Sequence, residues 1–164
     1  MKYGNKIMQN IHRKYMREAI KMSLKSTEKD MTGGPFGTVI VKDGKIIARG
    51  RNMVLKNCDP TAHGEITTIR LAGKKLKTFD LSGCDLYTNC EPCPMCLMAC
   101  QWANIRNIYF AATRKTAAEI GFRDDFLYQM LKSGVKTGIH LSDMEQEAVA
   151  AMYKWKEQFS QVNY

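Results

Sequence analysis

The sequence predicts an α/β sandwich, a sheet covered by helices. Three patterns carry that expectation: an amphipathic helix near the start of the chain, a β-hairpin behind it, and helices that alternate with strands from about residue 63 to residue 111.

The helix is read from Ile7 to about Ser26. There Ile11, Tyr15, Met16, Ala19, Ile20 and Met22 recur mostly at steps of three and four, with Arg and Lys between them, which gives one buried face. The turn-forming run Thr32-Gly33-Gly34-Pro35 follows. Phe36 to Lys42 and Lys45 to Arg49 are β-branched runs on either side of Asp43-Gly44, the pattern of a hairpin.

Asp59-Pro60-Thr61 precedes a helix over His63 to Gly73, where Ile66, Ile69 and Ala72 share a face and Thr61 is the expected N-cap. Asp85 to Thr88 reads as a short strand. Pro92 fits the first turn of a helix bearing Cys93, Cys96, Leu97 and Cys100, since proline loses no hydrogen bond there. Ile105 to Ala111 is the next strand, and the strand, helix, strand order favours a parallel pair. Farther on, Ser142-Asp143-Met144-Glu145 is a capping box opening a helix that holds Val149, Met152, Tyr153 and Trp155.

A chain of 164 residues, 45% hydrophobic and 25% charged, suits one compact domain with its own core. Its apolar runs, such as Val39 to Val41 and Ile108 to Ala112, fall far short of the roughly 18 residues that span a bilayer. Lys2, Lys6, Arg13 and Lys14 are followed by no apolar export segment, so no membrane is expected as a partner and the expected setting is cytoplasmic. The formal charge of +9, with eight of the cations in the first thirty residues, fits either a nucleic-acid surface or solvated helix faces, and the second is the commoner use of such charge.

Four of the six cysteines fall within eleven residues, a crowding that suits metal binding in a reducing compartment better than disulfides. Thr61-Ala62-His63-Gly64-Glu65 and Cys90-Glu91-Pro92-Cys93-Pro94-Met95-Cys96 carry the chemistry. One imidazole, His63, and two thiolates, Cys93 and Cys96, leave a fourth position open on a tetrahedral zinc. Such a zinc lowers the pKa of a water from about 16 toward 7, and Glu65, two residues after the histidine, is placed to move protons rather than to bind the metal. Helix starts at His63 and Cys93 favour the ionised thiolate. Two other readings compete. Cys90, Cys93, Cys96 and Cys100 reproduce the spacing of an iron–sulfur run, with Gln101 where that run has proline, and a structural zinc site would need a fourth ligand, for which only the distant His12 and His140 remain among the histidines.

His-x-Glu followed by Pro-Cys-x-x-Cys is the pattern of zinc-dependent nucleobase deaminases, and the chain resembles the cytidine/deoxycytidylate deaminase superfamily. The resemblance implies a three-layer α/β/α sandwich around a mixed five-stranded sheet, a single zinc-dependent deaminase domain over residues 1–164 and one zinc ion per subunit. Within the superfamily three features resemble bacterial guanine deaminases. Gly33-Gly34-Pro35-Phe36-Gly37 with the following Val39 to Gly44 resembles their first hairpin, Gly121-Phe122-Arg123-Asp124-Asp125-Phe126 resembles their Gly-Phe-Asp-Asp-Ser-Phe segment, and Tyr164 matches a closing C-terminal tyrosine.

That resemblance implies hydrolysis of free guanine to xanthine and ammonia, with Glu65 and Asp124 as proton carriers. It matches Asn52 to an asparagine that binds the purine, with Phe36 and Trp102 on the ring faces and the Gly64 backbone N–H on a carbonyl. It further implies a homodimer in which the C-terminal segment crosses to the partner. Many of these relatives have His-Ala-Glu, whereas His63-Gly64-Glu65 follows fungal cytosine deaminases; the missing methyl is expected in the pocket wall. Cytosine deamination and the deamination of adenosine in tRNA are the alternative activities.

Overall fold

A computed structural model of the chain describes residues 2–29, 31–134 and 144–158. They fall into two compact units, Met1–Tyr128 and Gln129–Tyr164.

The first unit opens on α1 (Lys2–Leu24), which ends in a π-helical turn (Lys25–Lys29). The helix starts earlier than its apolar repeat, because a helix once nucleated propagates through good formers such as Lys2 and Lys6. β1 (Gly37–Lys42) and β2 (Lys45–Arg51) form the expected hairpin. Asp43 and Gly44 hold φ of 49° and 71°, the positive pair that a type I′ turn demands. The short α2 (Val54–Asn57) and α3 (Gly64–Leu76) lead to β3 (Asp85–Cys90), α4 (Pro94–Trp102), β4 (Asn107–Ala112) and α5 (Arg114–Glu119). α6 (Asp124–Ser133) begins in this unit and ends in the second.

The sheet runs β2-β1-β3-β4. β1 is antiparallel to both β2 and β3, and β3 is parallel to β4, so the sheet is mixed and the parallel pair sits where the strand, helix, strand order put it. Four strands, not five, are present among the described residues; every described residue after Ala112 lies in a helix, turn or loop.

Alternation along the central strands builds two cores. Val39 and Val41 of β1 and Tyr87 of β3 pack with Tyr15 and Ala19 of α1. Ile40 and Leu86, on the opposite face, pack with Ala72 of α3, Cys100 of α4 and Ala103 just past its end. Val39, Ile40 and Leu86 are fully buried, and each such side chain stabilises the fold by roughly 1.5–3 kcal/mol. The first unit is therefore helix, sheet and helix in three layers, with α3 and α4 side by side on one face.

In the second unit α7 (Glu145–Gln158) carries Val149, Met152, Tyr153 and Trp155 in exposed positions. Of the capping box expected ahead of it, Ser142 and Asp143 lie outside the described residues.

Candidate active site

Two helix starts build the site. His63 is the residue capping α3, at φ −66° and ψ 164°, and Cys93 caps α4 at nearly the same angles, −67° and 167°. Thr61 is not the cap that the sequence suggests; its N–H and hydroxyl both bond to Asp59 Oδ1 at 2.8 and 2.7 Å. Pro94, not Pro92, is the first-turn proline of α4. The capping positions are taken by His63 and Cys93, neither of whose side chains bonds to its own helix; they face each other at 3.6 Å instead.

His63 Nδ1 lies 3.6 Å from the sulfurs of Cys93 and of Cys96, which is one turn farther along α4. A tetrahedral zinc with bonds of about 2.3 Å to sulfur and about 2.05 Å to nitrogen sets its ligands about 3.6 Å apart. The residues present thus fit the ion that the sequence calls for. Among the described residues these are the three whose ligand atoms gather, all within 4.8 Å. The Cys96 thiol donates to Cys93, and with His63 it pulls the Cys93 thiol down to about 4, while Cys96 itself is pushed up. The hydrogen bond with Cys93 raises His63.

The cluster opens on a cavity of about 500 Å³ whose wall includes Phe36, Asn52, His63, Glu65, Cys93 and Asp124. Glu65, at 5% exposure, receives a hydrogen bond from the Thr88 hydroxyl at 3.2 Å, and burial pushes its carboxyl up from the ordinary range. A set of metal-ligating side chains with a buried carboxyl of raised proton affinity beside it is equipped for hydrolysis.

Residues 9–112 match the model of the family described as the cytidine and deoxycytidylate deaminase zinc-binding region. The chain belongs to this deaminase family. It is 48% identical over 118 residues to the guanine deaminase of Bacillus subtilis, covering 72% of this chain and 75% of that one. It is 40% identical over 111 residues to a tRNA-specific adenosine deaminase of Agrobacterium fabrum, covering 66% and 72%. The crystal structure of the Bacillus subtilis guanine deaminase superposes with a TM-score of 0.80 at 39% identity, over 87% of this chain and 94% of that one.

Around this deaminase cluster, Asn52 is held from several sides. Its side-chain oxygen accepts from the Val54 N–H at 3.1 Å, and its backbone oxygen accepts from the hydroxyls of Ser26 and Thr32 at 3.1 and 2.7 Å. Phe36 meets Phe122 edge to face, with ring centroids 4.6 Å apart. Asp124, the first residue of α6, is pushed up by burial and then by the charge of Cys93. Leu55, Glu91, Phe122 and Arg123 also line the cavity. Sequence reasoning had not assigned them, although Phe122 and Arg123 stand inside the segment that pointed to Asp124.

Other expected residues lie elsewhere. Trp102 ends α4, is 67% exposed and is not on the cavity wall. Tyr164 and His140 lie outside the described residues. Cys84 and Cys100 belong to the apolar core, and the Cys90 thiol, on the cavity wall, donates to the Thr113 carbonyl at 3.7 Å. The four-cysteine spacing therefore does not gather into a four-sulfur site. His12 is engaged on α1 by the Tyr87 hydroxyl at 2.8 Å.

Gly64 corrects a further expectation. A methyl added there would sit 3.0 Å from the Thr38 hydroxyl and 3.2 Å from the Phe36 carbonyl, beneath β1, and not in the pocket wall. Gly64→Ala should therefore change the preference among amino-substituted rings by less than about threefold. Its cost should appear instead as overpacking of about 1–3 kcal/mol, partly offset by about 0.5–1 kcal/mol of helix preference for Ala over Gly. Relative rates on paired substrates and a thermal melt measure the two effects separately.

Proposed function

We propose that the chain hydrolyses the 2-amino group of free guanine, giving xanthine and ammonia. The observation that carries this reading is the convergence on one cavity of two carboxyls of raised proton affinity, Glu65 and Asp124, with the His63, Cys93 and Cys96 cluster. The kinship with a guanine deaminase supports the choice of ring.

When bound to these three residues, zinc supplies an acidified water. Glu65 takes a proton at its carboxylate and delivers it to a ring nitrogen, so that charge does not build on the purine while the water oxygen bonds to C2. The C2–N bond then breaks. Asp124, within the same wall, passes the proton of the new C2 hydroxyl to the amine, which leaves as ammonia while that oxygen becomes the carbonyl. The carboxamide of Asn52, held at its oxygen by the Val54 N–H while Ser26 and Thr32 fix its backbone, presents hydrogen-bonding groups to the purine edge, and Phe36, propped by Phe122, covers a ring face. The N–H groups at the helix starts, Gly64 among them, are aligned to meet a carbonyl oxygen.

The proposal extends to a homodimer in which residues after Tyr128 pass to the partner. The exposed apolar side chains of α7 and the exposed Trp102 support it, and in this reading Trp102 and Tyr164 serve the partner's cavity. A reducing, cytoplasmic setting and a role in purine breakdown complete the reading, in keeping with the free cysteines.

Incubation of the zinc-loaded protein with guanine, cytosine, adenine and a tRNA anticodon stem should release ammonia from guanine alone. Release from cytosine or from the RNA in its place overturns the substrate and leaves the deaminase chemistry standing. Sedimentation of the intact protein at twice the monomer mass is the expected companion result.

A further inference from the structure

We infer that Arg114 is a positioning residue for this reaction: it clamps the loop leading into Cys93 to the first turn of α6, and so fixes where Asp124 stands on the cavity wall. The inference rests on the role proposed for Asp124.

Arg114 opens α5, and its contacts run in two directions. Toward the metal cluster, its Nη1 donates to Glu91 Oε1 at 2.9 Å and its backbone N–H donates to Glu91 Oε2 at 3.0 Å, so one residue holds both oxygens of that carboxylate. Toward α6, its Nε donates to Asp125 Oδ1 at 3.2 Å. The guanidinium also lies 4.4 Å over the ring of Tyr128, whose hydroxyl donates to the Pro92 carbonyl at 2.9 Å. Glu91 and Pro92 lead directly into Cys93, and Asp125 directly follows Asp124. Each end of the clamp is thus next to, or within two residues of, a group the reaction uses.

The clamp matters because no residue of α6 is fully buried, so no enclosed apolar side chain locks its first turn. Isolated surface ion pairs contribute little, but this one is a half-buried fork shared by two carboxylates and stacked on an aromatic ring. Its geometry needs the planar, five-donor guanidinium; the ammonium of lysine has neither the plane nor the fork. A displacement of about 1 Å in a reacting group can cost on the order of 100-fold in rate, so a loosened first turn is felt in turnover before it is felt in binding.

The test is a double-mutant cycle between Arg114→Gln and Asp124→Asn, with zinc content and Tm recorded for each variant. Arg114→Gln should lower kcat by about 10- to 100-fold with KM changed by less than about threefold and zinc retained. In the Asp124→Asn background the same change should lower kcat by less than about threefold, because the group it positions has already gone. Equal losses in both backgrounds overturn the inference, as does full activity in Arg114→Gln. Asp125→Asn cuts the clamp from its other end and should reproduce the loss, while Arg114→Lys should restore only part of it.

The cycle is run on whichever ring the wild-type protein deaminates, so a wrong substrate leaves it intact. A readout without substrate stands beside it. Amide exchange over residues 122–128 should quicken in zinc-loaded Arg114→Gln while that of 94–102 is unchanged; unaltered exchange at 122–128 overturns the clamp whatever the enzyme acts on.

Discussion

Glu65→Gln should keep its zinc and lose turnover by a factor of about 10²–10⁴, the range that general acid–base catalysis contributes. The carboxamide has nearly the same shape and can still meet the Thr88 hydroxyl that bonds to Glu65, and residue 65 is not among the gathered ligands. What it cannot do is take up and return a proton. Stability gives the same substitution a second signature. Burial raises the Glu65 carboxyl above its ordinary 4.5, so in the metal-free protein the folded chain keeps a proton that the unfolded chain has already released. The associated stability is present at low pH and is lost as pH rises from 4.5 through the folded value. Glutamine has no charge to bury, so metal-free Glu65→Gln should match the parent in acid and melt at a higher temperature near neutrality. Near-parental turnover in the variant contradicts the proton-carrying role.

Cys96→Ala should abolish zinc retention and activity together. Its sulfur, like that of Cys93, is 3.6 Å from His63 Nδ1, and without it two protein ligands remain where a zinc site holds three or four. The loss should also free Cys93 from the hydrogen bond that does most to pull its thiol down, so the remaining sulfur becomes a poorer thiolate and a weaker ligand. Metal analysis after dialysis should find less than about a tenth of an equivalent, as expected when metal affinity depends on deprotonated ligands. His63→Ala should behave alike. A Cys96→Ala protein that holds a full equivalent of zinc places the metal elsewhere.

The parts of this molecule that were legible in its sequence are those encoded by neighbours. Asp43-Gly44 between two β-branched runs specifies its turn locally, and the Cys93 to Cys96 spacing puts two sulfurs on successive turns of one helix. The metal cluster was legible for that reason, as was the parallel β3 and β4 pair. The helix starts at His63 and Cys93 were legible, but the cap was misread where function displaced a local rule: Thr61 is a good cap by type, and His63 occupies the capping position with its ring turned to the sulfurs. Gly64 was misplaced because the sequence does not say which way a missing methyl would point. The pairing of Arg114 with Glu91 and Asp125 left no signal, since an ion pair across 11 or 23 positions has no periodicity to read. Phe122 and Arg123 were in view within a recognised segment, and only the fold shows that they reach the wall beside Asp124.

The shared placement of His63 and Cys93 at helix starts has a consequence for the unfolded chain. They stand 30 positions apart, with α3 and β3 between them. Joined through a metal, they close that stretch into a ring, and a crosslink around a loop of about 30 residues takes about 3–4 kcal/mol of entropy from the disordered ensemble by the loop-closure relation. The ion is then a crosslink as well as a part of the reaction. Proteases should find the metal-free polypeptide the looser target, so the supply of zinc governs how long each molecule survives as well as whether it works.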